Sequence, residues 1–179
     1  MCHRLLLCCV LGCGAAACSH EDPPPSETEC ERSCPSTSGV DLSAPAVTFS
    51  ADVVPIFAKS CNDQLCHGNA LGARAGLYLG PAANASVTEI ASVYGALTRP
   101  SKTAPSVAII SPGSPAQSFL MHKVDGCQNS LGLTCDAEPN LCRADCGDPM
   151  PPLPRDTYAE LSSDDKLTLR RWIAQGAPL

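Results

Sequence analysis

Thirteen cysteines in 179 residues constrain this chain more than any other feature, and their placement divides it in two. Five lie in the first eighteen residues, MCHRLLLCCVLGCGAAAC, and eight in the remainder. The leader carries Arg4 as its only strong positive charge, an apolar run from Leu5 to Leu11, and small residues up to Cys18. That is the pattern of a secretory signal, and it is too short to span a bilayer. Export would place the other eight cysteines in an oxidising compartment, where disulfides persist.

The end of the leader is more specific. AAAC at residues 15–18 resembles the lipobox of bacterial lipoproteins, which implies diacylation of Cys18 and a membrane tether. VLGC, ending in Cys13, also fits but leaves a very short leader. Ser19 is no aspartate, which resembles lipoproteins sent to the outer membrane; the expected location is the periplasm or the outer membrane, lipid-anchored. Residues 19–46 are rich in proline, serine and charge without apolar periodicity, so they read as a disordered linker between anchor and domain. Within it, Cys30 and Cys34 are expected to pair with each other.

The remaining residues, 47–179, suffice for one domain with a real core. Aromatics make up only 4% of the chain, against 17 prolines and 13 glycines, which points to short helices and long loops with few large side chains to fill the centre. A net charge of −6 without clustered lysine or arginine argues against a nucleic-acid partner. The spacing predicts a helix ending at Cys61, with Asp52 as its cap, Pro55 in its first turn, and Val53, Ile56, Phe57 and Ser60 on one face. A second helix is predicted over 84–97, capped by Asn84, with Val87, Ile90, Ala91 and Tyr94 inward. A short third covers 115–124. The clearest is LSSDDKLTLRRWIAQGAPL: Ser162 or Ser163 caps it, Asp164 and Asp165 suit its N-terminal dipole, Gly176 and Pro178 stop it, and Leu169, Trp172 and Ile173 form its buried stripe. The fold class is all-α.

Before that last helix comes a cysteine-rich insert, about 125–149, with Cys127, Cys135, Cys142 and Cys146. Four cysteines can ligate zinc, but these lack paired C-x-x-C knuckles, and export favours disulfides.

SCNDQLCHG carries the chemistry. Covalent haem attachment needs two thiols for the two vinyl groups of one porphyrin, and a histidine directly after the second so that the imidazole lies under the iron. Cys66 and His67 are adjacent; four residues separate Cys61 from Cys66, where two are usual, and the additional residues can loop out without moving His67 relative to Cys66. A sixth ligand must then come from Met150, Met121, His122 or His20. Met150, in GDPMPPLP, is favoured because flanking prolines hold its backbone stiff, so little entropy is lost on ligation. Met121 and His122 fall inside a predicted helix, where methionine is core filler and histidine a surface residue. His20 falls in the linker.

Taken in order, VVPIFAKSC, CHG, GLYL, PGSPAQSFL, MPP and LSSDDKLTLRRWIAQGAP resemble the c-type cytochrome domains of exported bacterial proteins, over roughly residues 47–179. The resemblance implies a cytochrome c-like fold of short helices packed around one covalent haem c, the first and last helices in contact. Cys61 and Cys66 would hold the haem, with His67 as proximal and Met150 as distal iron ligand. It further implies a monohaem electron carrier, not an enzyme, whose partners are redox proteins of the cell envelope. The departures are the four-residue spacing and the insert. Two other readings remain: a haem-free, disulfide-stabilised envelope lipoprotein that binds or supports, and a sensor or peroxidase-like domain with an open haem site.

Overall fold

The computed structural model describes residues 30–80, 85–137, 141–152 and 160–179. Among them regular structure is helical: α1 (Val54–Ser60), α2 (Val87–Leu97), α3 (Phe119–Asp125) and α4 (Ser163–Ala174), with a π-helical turn, Phe49–Val53, running into α1. Extended pairing amounts to an isolated bridge between Pro100 and Ala108. The described residues are therefore all-α, as expected. Among the described residues, no helix is long and apolar enough to cross a membrane.

The first helical segment starts earlier than the sequence suggests. Thr48 Oγ1 accepts from Ala51 N at 3.3 Å, and Asp52 Oδ2 accepts from Thr48 N at 2.8 Å. Asp52 thus closes a reciprocal box from inside the helix and is not the cap itself. Pro55 has no N–H for the carbonyl of Ala51, and the turn ahead of it takes the wider π spacing. Phe49, Val53, Ile56 and Phe57 are buried along this segment.

The second helix is capped by Ser86, whose side chain and Glu89 form a full capping box; Asn84 lies outside the described residues. Its inner face is rotated from the expected one. Val93 and Leu97 are buried, with Ile90 and Tyr94 packed beside them, while Val87 is 81% exposed. The third helix is buried over Phe119–Val124 and ends at Gly126, whose φ of 74° is the left-handed cap that glycine adopts without strain. His122 is therefore not the surface residue its polarity suggests, being only 8% exposed.

α4 begins where Ser162 Oγ accepts from Asp165 N at 3.0 Å, and it buries Leu169, Trp172 and Ile173 completely. The first and last helical segments meet there. The rings of Phe49 and Trp172 stack at 5.3 Å, Trp172 Nε1 donates to Pro178 O at 2.9 Å, and Lys59 pairs with Asp165 at 3.0 Å. Full burial of side chains of this size contributes about 1.5–3 kcal/mol each, which makes this contact the centre of the core.

Residues 30–46 are not a free linker. Cys30 is bonded to Cys142 and Cys34 to Cys127, so the expected local Cys30–Cys34 pairing does not form. The segment lies against α4 and the residues after it: Gln175 Nε2 donates to Leu42 O and Pro45 O at 3.0 and 2.9 Å, and Arg171 Nε donates to Asp41 O at 3.1 Å. Cys135–Cys146 closes the insert on itself, so its four cysteines are all spent in disulfides and do not gather as a zinc site. The two long bridges span 93 and 112 residues. On a chain-entropy basis each is worth about 4–5 kcal/mol, and the short third about 3. Cys13, Cys18 and His20 lie outside the described residues.

Candidate functional site

The loop after α1 is built around one backbone oxygen. Cys66 N and Gly68 N both donate to Asp63 O at 2.9 Å, and the Asp63 side chain accepts from Leu65 N at 2.8 Å. The four residues between the cysteines thus fold into an Asx-type turn that leaves Leu65 77% exposed. Gly68 closes it. A Cβ there would sit 1.8 Å from Asn62 O, so no other residue fits without opening the turn.

This turn presents His67. Its Nδ1 lies 2.7 Å from Leu77 O, and its own carbonyl accepts from Leu79 N at 3.0 Å, while Arg74 N donates to Cys66 O at 2.9 Å. The GLYL segment therefore clamps the histidine from ring and backbone. A neutral imidazole that donates from Nδ1 keeps the lone pair of Nε2 available to a metal. Burial pushes the His67 pKa down; the bond to Leu77 opposes this, and the nearby charge of Lys123 adds to it, so the neutral form holds at neutral pH. Cys61 and Cys66, both partly buried, stand outside the three disulfides. Burial, with the charges of Cys66 and Asp165 adding, pushes the Cys61 thiol up to about 12.

The candidate sixth ligands separate by environment. Met150 is half-buried, and its N–H donates to Lys123 O at 2.9 Å. Lys123 also sends its ammonium to Cys146 O at 2.9 Å and to Asp148 O, with the Phe119 ring 5.8 Å away. One residue of α3 thus grips the Met150 loop with both backbone and side chain, and its charge reaches His67. Burial lowers the Lys123 pKa to about 8, against the pull of Asp148. Met121 is 2% exposed within the main apolar cluster, as expected of core filler. His122 turns its Nδ1 to Cys34 Sγ at 4.0 Å; burial lowers its pKa, with Asp125 opposing.

Sequence reasoning passed over Lys123. The signal was present, because a lysine inside FLMHKV occupies a position that helical periodicity would bury, and a buried lysine needs acceptors. A cleft of about 300 Å³ lies elsewhere, between Pro55, Ile56 and Lys59 on α1 and Asp165 and Thr168 on α4, and shares no lining with the Cys61–His67 loop. No protein-family model, curated protein or solved structure matches the chain.

Proposed function

We propose that this chain is a monohaem c-type cytochrome of cytochrome c-like fold, an electron carrier tethered in the cell envelope through Cys18. The observation that carries the reading is the His67 geometry: Nδ1 bonded to Leu77 O at 2.7 Å, in a loop whose two cysteines stand outside the disulfides. The donor set fits haem c. Cys61 and Cys66 would form the thioethers, His67 Nε2 the proximal bond and Met150 Sδ the distal one. Haem, when bound, supplies one-electron chemistry between ferrous and ferric iron. The residues do the rest. Leu77 fixes the ring tautomer of His67, Lys123 and its carbonyl partners hold the Met150 loop, and a methionine ligand favours the ferrous form relative to a second histidine. Were His67 and Met150 both to ligate the iron, no position would be left on it for a substrate, so the reading carries no catalytic role and its partners would be other redox proteins.

The haem-free lipoprotein reading draws on a different observation: three disulfides fasten the segment at Cys30 and Cys34 and the cysteine-rich insert, and the Phe49–Trp172 contact already joins the first and last helical segments. Expression in a periplasm with haem-maturation proteins separates the two. The protein is expected to stay coloured after acid–acetone extraction and to weigh one haem more than its chain. Met150→Ala should abolish the methionine-to-iron band at the red end of the spectrum and open the iron to carbon monoxide. A colourless protein at apo mass refutes the cytochrome, and the same spectral change in Met121→Ala but not in Met150→Ala refutes the distal assignment.

A further inference from the structure

We propose that Cys34, Cys127 and His122 form a binding site for one zinc(II) ion, which opens when the Cys34–Cys127 disulfide is reduced. The site shares no residue with the proposed haem site and does not depend on it. The ligand atoms, two sulfurs and an imidazole nitrogen, lie within 4.8 Å of one another, and Nδ1 of His122 is 4.0 Å from Cys34 Sγ. Ligands on a tetrahedral zinc ion stand about 3.3–3.8 Å apart, so the histidine is already close to position and the sulfurs need only separate to that distance.

The frame around the three residues survives the opening of this bond. Cys127 and His122 belong to one cap: Cys127 N donates to His122 O at 2.9 Å across the left-handed Gly126. Cys34 is held from behind, because Asn129 Nδ2 donates to Cys30 O, Ser130 Oγ donates to Arg32 O, both at 2.9 Å, and Cys30 is bonded to Cys142. Cys34 is also the one exposed cysteine among the six in disulfides, whereas Cys127 and His122 are buried. A reductant therefore reaches Cys34 Sγ first, and an ion would keep its fourth position, for water, on the solvent side.

The chemistry balances with a dithiol as reductant. It gives two electrons and two protons to the disulfide, yielding two thiols, and is itself oxidised to a disulfide. Zinc then displaces the two thiol protons. Two thiolates and a neutral imidazole leave the zinc site without net charge, which suits a half-buried position. Thiolates select zinc or copper(I) over calcium and magnesium.

The test titrates zinc against a chromogenic chelator, using the full chain before and after reduction by one equivalent of a phosphine under argon, with peptide mapping to establish that Cys34–Cys127 is the bond opened. One zinc per chain is expected after reduction and none before. Cys34→Ser should abolish binding, His122→Ala should weaken it by roughly tenfold or more, and Cys61→Ser/Cys66→Ser should leave it unchanged. Tight binding by the oxidised chain, indifference to His122→Ala, or loss in the Cys61/Cys66 variant each overturns the site. Should reduction unfold the chain, zinc present throughout should preserve the helical circular dichroism of wild type and not of His122→Ala. Loss of that signal in both refutes the proposal.

Discussion

Lys123→Met isolates the buried ammonium. The substitution keeps the length of the stem and removes a charge whose partners are the carbonyls of Cys146 and Asp148 and the ring of Phe119, with Asp148 the attracting carboxylate and His67 the titratable group on the other side. Lys123 is 9% exposed, and burial brings its pKa from 10.5 to about 8. The folded chain therefore binds fewer protons than the unfolded one between those values, and stability rises with pH across that window. The cost of carrying the charge is fully present below pH 8. Integrated from pH 7 to 9.5, its relief is worth about 2 kcal/mol. The methionine variant loses two hydrogen bonds, about 1–3 kcal/mol together, but has no charge to relieve. Urea unfolding followed by circular dichroism at the two pH values measures this, in a Cys61→Ser/Cys66→Ser background so that no thiol shuffles the disulfides. The advantage of wild type over Lys123→Met should grow by about 2 kcal/mol on going to pH 9.5. An advantage that stays level or shrinks means the ammonium is solvated or fully paired, and the account of the Met150 loop fails with it.

Three further outcomes are expected. Arg170 and Asp125 pair at 2.5 Å with side chains only 11% and 9% exposed, so Arg170→Met should cost about 3–5 kcal/mol in urea unfolding by leaving Asp125 buried alone, and Asp125→Leu/Arg170→Met should recover most of it. Gly68→Ala forces a Cβ to 1.8 Å from Asn62 O; the turn must open, so the yield of haem-loaded protein should collapse while the oxidised chain keeps its helical circular dichroism. Ser86→Ala removes one side of the capping box and should lower stability by about 1 kcal/mol, with Glu89→Gln costing less because the amide can still accept from Ser86 N.

The helices were readable where local chemistry decides them. Leu169, Trp172 and Ile173 are spaced for one face, Ser162 precedes two aspartates, and the structure buries all three apolar side chains completely. α2 shows the limit of periodicity. Val87 and Ile90 fit the inward pattern as well as Ile90 and Val93 do, and what selects the second set is the position of α2 against Phe49 and the C-terminal segment, where Tyr94 donates to Ala177 O at 2.7 Å. That is a tertiary fact with no local signature. In the candidate site, Cys61, Cys66 and His67 could be named from spacing, but the acceptor for His67 Nδ1 lies ten residues on, and Lys123 lies in a different helix.

Disulfide pairing was the part sequence could least supply, since eight cysteines allow 105 full pairings. Proximity in sequence suggested Cys30 with Cys34, but a bridge over so short a loop removes little entropy from the unfolded chain, whereas the observed bridges close 112 and 93 residues. The consequence reaches function. With the domain beginning at residue 47, a lipid on Cys18 would allow an extended tether of 28 residues, about 95 Å. With residues 30–46 fastened by Cys30 and Cys34 and hydrogen-bonded along α4, only the 12 residues from Cys18 to Cys30 remain, about 40 Å at full stretch. The lipid-anchored electron carrier proposed above, so held, would serve partners in or close to the same membrane, and reduction of the two bridges, by releasing residues 30–46, would lengthen its reach.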